Sequence, residues 1–162
     1  MKKLIAVFLI ILPSLSFAQA TDLDLYQLAL SEIKKTYAFE KFASDESKGI
    51  QVMPQVIPLS HIGEPFYEEL LRETGTDYNL DENWGSIRKN RDLPGLSDVS
   101  RSDLKLYFSR IDQGTFMAEL IDGVLKYRDW EKARIYGTGI KFLLVKNGDK
   151  VVILDSAEGE GN

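Results

Sequence analysis

The polar residues near the first predicted hairpin are the clearest candidates for chemistry in this chain. Glu119 lies among apolar neighbours in a predicted strand, which makes it the first choice for an acid that faces a pocket. The predicted register puts Tyr107, Ser109 and Met117 on the same face of the sheet. A concave sheet face is where a ligand would sit, so these residues are predicted to line a ligand pocket. His61, the only histidine of the chain, is the fifth candidate.

Residue types exclude several kinds of active site. The chain has no cysteine and one histidine, which rules out disulfides, cysteine-ligated metals, thiol nucleophiles and most histidine-based metal sites. No serine lies in a Gly-x-Ser-x-Gly turn, so a Ser–His–acid relay through His61 is not indicated. Glu64 and Glu68 could orient His61, but a lone imidazole in a loop is more commonly a structural hydrogen-bonder. We therefore predict no catalytic residue, metal site or cofactor.

Two charged segments in the middle of the chain have both a functional and a solvent-exposed interpretation. Residues 77–85 alternate oxygen-bearing side chains, but the positions that an EF-hand gives to glycine and glutamate hold Glu82 and Arg88. A turn-rich segment without metal is the favoured interpretation. Arg88, Lys89 and Arg91 form a short basic cluster, which we interpret as a solvated loop, with a clamp for a carboxylate or phosphate as the alternative.

The N-terminus has the composition of a secretory signal peptide, which we place at residues 1–18. Two lysines precede the apolar run Leu4–Leu12, and Ser16 and Ala18 are the small pair of a cleavage site after Ala18. The apolar run is shorter than the roughly 20 residues that span a membrane. We expect a periplasmic or secreted product with a single domain over residues 19–157 and a disordered acidic tail at 158–162.

The charge balance argues against nucleic acids and anionic membrane surfaces as partners. The chain has 20 basic and 25 acidic residues and a net charge of −5, and loss of the two lysines in the signal peptide leaves −7. Nucleic acids and anionic membrane surfaces both require a compensating basic patch. We therefore expect no nucleic-acid partner and no membrane association after cleavage.

Periodic apolar residues predict one long N-terminal helix. They recur at helical spacing from Leu23 to Tyr37, after a capping-box pattern at Thr21 and Asp24, which predicts a helix over 22–43.

The middle of the chain is predicted to be less regular. A short second helix begins at Glu64-Pro65 and is closed by Gly75, with Leu70 and Leu71 facing the core. Two prolines in residues 50–59 allow at most an edge strand or an extended crossing. Residues 76–103 are a long irregular loop.

Two hairpins are predicted in the C-terminal half. Leu104–Ile111 pairs with Thr115–Ile121 around a loop that ends in Gly114, and Ile140–Lys146 pairs with Lys150–Asp155 around an Asn-Gly turn. The second hairpin has apolar side chains on both faces. Its strands are predicted to be central or to bury one face against a partner chain.

These elements together predict an α+β fold. A long N-terminal helix packs on a curved antiparallel sheet of about four strands, with a short second helix and a long irregular middle loop. Trp130 and its aromatic neighbours are interpreted as a lid over the small core. The order of elements over roughly residues 22–156 resembles the cystatin-like and nuclear-transport-factor-2-like cone folds. The resemblance rests on element order and carries no functional residue.

Three classes of function fit these features. The favoured one is an exported, noncatalytic binding or protein-interaction module that uses its doubly apolar strands and middle loop to engage a protein partner or itself. The first alternative is a small-molecule-binding protein or enzyme of the cone type, with a pocket on the sheet face. The second is an inhibitor or immunity-type protein that blocks an exported enzyme, because an acidic surface suits a basic target.

Overall fold

A six-stranded sheet with helices on both faces is the framework of this computed structural model. The structure describes residues 21–43, 49–62, 65–77, 86–122 and 130–159. The strands are β1 (Gln51–Ile57), β2 (Arg88–Lys89), β3 (Lys105–Ser109), β4 (Thr115–Asp122), β5 (Thr138–Asn147) and β6 (Lys150–Gly159). The helices are α1 (Asp22–Ile33), α2 (Tyr37–Phe42), α3 (Leu59–Ile62), α4 (Tyr67–Thr74) and α5 (Trp130–Tyr136), with a 3-10 turn at Leu93–Leu96.

The predicted α+β class is confirmed, but the predicted strand count is too low. The strand order is β2-β1-β3-β4-β5-β6, and β1 runs parallel to β3 while the other neighbours are antiparallel. The prediction of about four strands therefore misses β1 and β2 as members of the sheet. The predicted signal peptide and most of the calcium-like segment 77–85 lie outside the described residues.

The long N-terminal helix is in fact two helices that break after Ile33. Thr36 has an extended backbone and its hydroxyl accepts a hydrogen bond of 3.0 Å from the Phe39 N–H, so it caps α2. A threonine that binds nearby backbone groups competes with continuous helix, which explains the break. Tyr37 consequently lies on the surface, 77% exposed, rather than on the buried face predicted for it. The capping box of Thr21 and Asp24 is present at the start of α1.

Pro54 is accommodated inside the sheet, contrary to the expectation that residues 50–59 form at most an edge. The register between β1 and β3 shifts between Val52 and Val56, so Pro54 lies outside the regular ladder. Its carbonyl oxygen accepts a hydrogen bond of 2.8 Å from Asn90 next to β2. Because of this irregularity, the ladder does not need a backbone N–H at Pro54. Strand β1 can therefore lie inside the sheet, between β2 and β3.

The second predicted helix is observed as α4, two residues shorter at its start than expected. Gly75 ends it in a left-handed conformation with φ 70°, as predicted. Leu70 is buried, but Leu71 is exposed, contrary to the prediction. The short helix α3, which contains His61, was not predicted. No helix within the described ranges has both the length and the apolar character needed to cross a membrane.

Both predicted hairpins are present with their expected pairing. Leu106 pairs with Leu120, and Tyr107 pairs with Glu119, as the predicted register requires. In the second hairpin Asn147 pairs with Lys150, so the two loop residues are 148 and 149, one residue later than predicted. Gly148 has φ 62°, a conformation that favours glycine. Strand β6 continues through Gly159, into the segment expected to be a frayed tail.

The central strands bury side chains on both faces of the sheet. On the α1 face, Phe108 and Phe142 pack in a cluster with Tyr26 of α1. On the opposite face, here called the α5 face, Tyr107 and Leu143 pack in a cluster to which α3, α4 and α5 contribute. Helices therefore cover the middle of the sheet from both sides.

Asp98 joins three separate parts of the chain. Its carboxylate accepts hydrogen bonds from Lys34 Nζ at 2.6 Å and from the Ile50 N–H at 3.0 Å. Partial burial raises the pKa of Asp98, but the hydrogen bonds from Lys34 and Ile50 outweigh it and hold this pKa below its usual value. The contact fixes the 3-10 segment to the end of α1 and the start of β1.

We predict that Tyr26→Phe lowers the free energy of unfolding by about 1–3 kcal/mol at neutral pH, because it removes a buried hydrogen bond. The Tyr26 hydroxyl donates to the Ser109 carbonyl oxygen at 2.8 Å. Burial, together with the charge of Asp22, raises the pKa of Tyr26 above its ordinary value of 10.0. Above this ordinary value the unfolded chain loses the tyrosine proton while the folded chain keeps it, so the difference between wild type and variant shrinks as pH rises.

Urea unfolding at neutral pH and at about pH 11 measures both effects. The exposed Tyr37 supplies the control, since Tyr37→Phe should leave stability unchanged at both pH values. A cost for Tyr26→Phe no larger than that of Tyr37→Phe would contradict the role assigned to the hydroxyl.

Candidate functional site

Four of the five predicted pocket residues lie together on the α5 face. Tyr107 and Glu119 are cross-strand neighbours, and the Ser109 hydroxyl accepts a hydrogen bond of 2.8 Å from the Met117 N–H. The same hydroxyl donates to the Arg110 carbonyl oxygen at 2.8 Å. Tyr107, Ser109 and Met117 are fully buried, and Glu119 is nearly so. The shared face was predicted correctly, and helices pack against it.

Trp130 connects Glu119 to His61. Its indole Nε1 donates a hydrogen bond of 2.7 Å to Glu119 Oε2. The imidazole of His61 lies nearly parallel to the Trp130 ring, with centroids 6.1 Å apart and planes inclined by 10°. His61 thus reaches the cluster through Trp130, and the residue interpreted as an aromatic lid is a hydrogen-bonding member of the cluster.

Two buried lysines complete the polar groups on this part of the sheet, and the sequence analysis missed both. Lys141 of β5 lies directly opposite Glu119 of β4, and Lys105 pairs with Ile121 in the next row. Both side chains are at most 4% exposed. Lysine is almost never fully buried unless it is paired, so these residues belong to an internal polar network. The alternation of Ile140, Phe142 and Leu144 was the available signal, because it places Lys141 on the opposite face from them.

This cluster combines a carboxyl, a phenol, an imidazole and an amine, which are the groups that general acid–base chemistry uses. None of the five predicted residues lines the cavity beside Gln51–Gln55 or the cleft beside Arg88–Arg91. Over the described ranges, no three histidine, aspartate or glutamate side chains are grouped so that they could hold a metal ion. The geometry is that of a packed polar network, and a ligand pocket on this face stays a prediction.

No family model matches this chain, and no curated protein or solved structure shows significant similarity to it.

The outer strand β6 carries the most exposed apolar side chains of the sheet. Val152 is 40% exposed and Leu154 is 44% exposed, and Val145, which pairs with Val152, is half-buried. Val151 and Ile153 point the other way and pack in the cluster on the α1 face. The predicted doubly apolar hairpin is thus buried on both faces over residues 139–144 of β5, and the apolar residues of β6 pack on one face only.

We predict that Glu119→Leu destabilises the fold more than Glu119→Gln, because leucine leaves the buried indole N–H of Trp130 without its acceptor. The expected difference is about 1–3 kcal/mol in the free energy of unfolding. Denaturant unfolding measures this difference, and hydrogen exchange of the Trp130 indole proton locates it. Exchange should accelerate in Glu119→Leu and stay slow in Glu119→Gln. Equal exchange rates in the two variants would show that Glu119 does not hold Trp130.

Proposed function

We propose that this protein is an exported, noncatalytic interaction module that pairs with a second copy of itself along β6. The observation that carries the proposal is the exposed pair Val152 and Leu154 on an edge strand of ten residues. Apolar residues on an open strand edge are a template for pairing with another chain.

The outer edge of β6 is open to such pairing. Among the described residues β6 pairs only with β5, so the backbone groups on its other side have no strand partner there. Leu154 is the extra residue at a register shift opposite Leu143 and Leu144. The regular stretch from Lys150 to Ile153 precedes this irregularity, and it is the segment that we expect to pair.

Charge along β6 favours a second copy in antiparallel orientation. Lys150 stands at the start of the strand, and Asp155 and Glu158 stand near its end. An antiparallel pair centred on Val152 brings the two Val152 side chains together and places Lys150 of each copy opposite Leu154 of the other, next to Asp155. A parallel pair would align like charges, which is unfavourable across strands.

Export is the part of the proposal that rests on the sequence alone. We predict that the chain expressed in a bacterial host is recovered from the periplasm or medium without residues 1–18. Intact mass spectrometry of the purified product measures this directly. Recovery of the chain from the cytoplasm with residues 1–18 still attached would contradict export.

We predict that the exported protein is a dimer and that Val152→Glu converts it to a monomer, because the two glutamates would face each other at the centre of the pair, and like charges directly opposite each other destabilise strand pairing. Light scattering during gel filtration measures the mass, and circular dichroism confirms that the variant is folded. Ile135→Glu is the matched control, since Ile135 is 53% exposed on α5. It should remain dimeric.

A wild-type protein that is monomeric over the whole concentration series overturns the pairing with a second copy. So does a dimer that Val152→Glu leaves intact, or one that Ile135→Glu dissociates equally. A monomer that captures a different protein through β6 would also reject the second copy as occupant.

A further inference from the structure

A basic cleft lies at the β2 end of the sheet, beside the start of α1. Its volume is about 460 Å³, which is within the range of small-molecule sites. We propose that this cleft binds a small molecule that carries a phosphate group and an apolar body. Arg88, Lys89, Arg91 and Arg110 supply its positive charge.

The fold assembles the cleft from segments that are distant in sequence. Strand β2 pairs with β1 so that Arg88 lies opposite Val56. Arg110 follows β3, and its N–H donates to the Ile57 carbonyl oxygen at 2.9 Å, which extends the contact between β3 and β1. The Arg110 guanidinium also donates through Nη2 to the Ser86 carbonyl oxygen. The basic cluster of residues 88–91 thereby gains a fourth cation that the sequence did not associate with it.

The charge of the cleft opposes that of the whole chain. Four cationic side chains and one acidic side chain, Asp22, line it, while the chain carries a net charge of −5. Within the described ranges, none of the four cations forms an ion pair. Clustered like charges repel each other, so an anion in the cleft would relieve an unfavourable arrangement.

Phosphate fits this charge better than a single carboxylate does. A phosphate monoester carries roughly −1.5 to −2 charges at neutral pH, and its oxygens match the planar fork of arginine. Arg110 retains unused donor capacity, because its buried Nε has no acceptor among the described residues. These features favour recognition of the phosphate by Arg88, Arg91 and Arg110, with Lys89 adding charge.

A small apolar area beside the cations would contact the body of the ligand. Tyr26, Val56 and Ile111 contribute to it, and Ile111 is the most exposed of the three. The Tyr26 hydroxyl is already donated to the Ser109 carbonyl oxygen, so this residue contributes its ring rather than a hydrogen bond. The ring stacks on Phe108 with centroids 4.6 Å apart, which fixes this area in place.

The cleft and the pairing edge are at opposite ends of the strand order, since β2 and β6 are the two outer strands. Binding in the cleft therefore does not require the dimer, and a dimer does not require the ligand. A monomeric protein could still bind phenyl phosphate in the cleft, and a protein that binds no phosphate could still be a dimer.

The test is a ¹H–¹⁵N NMR titration of the exported protein with phenyl phosphate, inorganic phosphate and benzoate. We expect phenyl phosphate to bind most tightly, with shifts concentrated at the backbone amides of residues 88–91 and 110–111 and at the Arg110 Nε–H. Arg110→Gln should weaken binding about tenfold or more, because a hydrogen bond to a charged group is lost. Asp22→Asn should strengthen it by about twofold or more, because the one acid in the cleft is removed.

Arg72→Gln is the charge-matched control, since Arg72 is an exposed residue of α4 and does not line the cleft. It should leave the affinity for phenyl phosphate unchanged. The proposal is overturned if phenyl phosphate shifts no cleft resonance, if benzoate binds as tightly, or if Arg72→Gln weakens binding as much as Arg110→Gln. Co-sedimentation with vesicles of phosphatidylcholine and phosphatidate, without binding of phenyl phosphate, would assign the cleft to a membrane surface and reject a free ligand.

Discussion

The structure depends on the fact that its central strands are apolar on both faces. Strands β3, β4 and β5 bury side chains such as Phe108 and Phe142 on one face and Tyr107 and Leu143 on the other. A sheet of this kind is stable only when each face is covered, because burial of apolar surface is the main favourable term in folding. Helix α1 covers one face, and α3, α4 and α5 cover the other. This requirement decides which residues remain available for function.

Coverage of the second face changes the role of its polar residues. Glu119, Lys141 and Lys105 would be ordinary surface residues on an open sheet, but here they are buried. A buried polar group is costly unless it is hydrogen-bonded, and the indole of Trp130 supplies one bond to Glu119 at 2.7 Å. The polar cluster thus positions α5 on the sheet. On this face a side-chain hydrogen bond fixes the position of the helix. On the α1 face, apolar packing and the hydrogen bond of the Tyr26 hydroxyl do so.

The helices leave the two outer strands of the sheet partly exposed, and these strands expose different kinds of side chain. Strand β6 presents apolar side chains at an edge that has no strand partner in the described part of the chain, whereas β2 and its neighbours present clustered cations beside a cleft. An apolar edge favours association with another chain, and a basic cleft favours an anion. The proposed dimer contact and the proposed phosphate cleft therefore both lie where the helices no longer cover the sheet, at its two opposite edges.

Local sequence patterns alone determined both antiparallel hairpins and the register that pairs Tyr107 with Glu119. They also determined the cap at the start of α1 and the end of α4 at Gly75. Each depends on interactions within a few residues or across one tight turn, where sequence spacing dictates geometry. The break at Thr36 was a local signal that helical periodicity obscured. Only the tertiary structure decided that β1 is internal despite Pro54, that Trp130 binds Glu119, and that Arg110 joins the basic cluster of residues 88–91. These contacts join segments that are distant in the chain, and their geometry arises only when packing against a shared sheet brings the segments together.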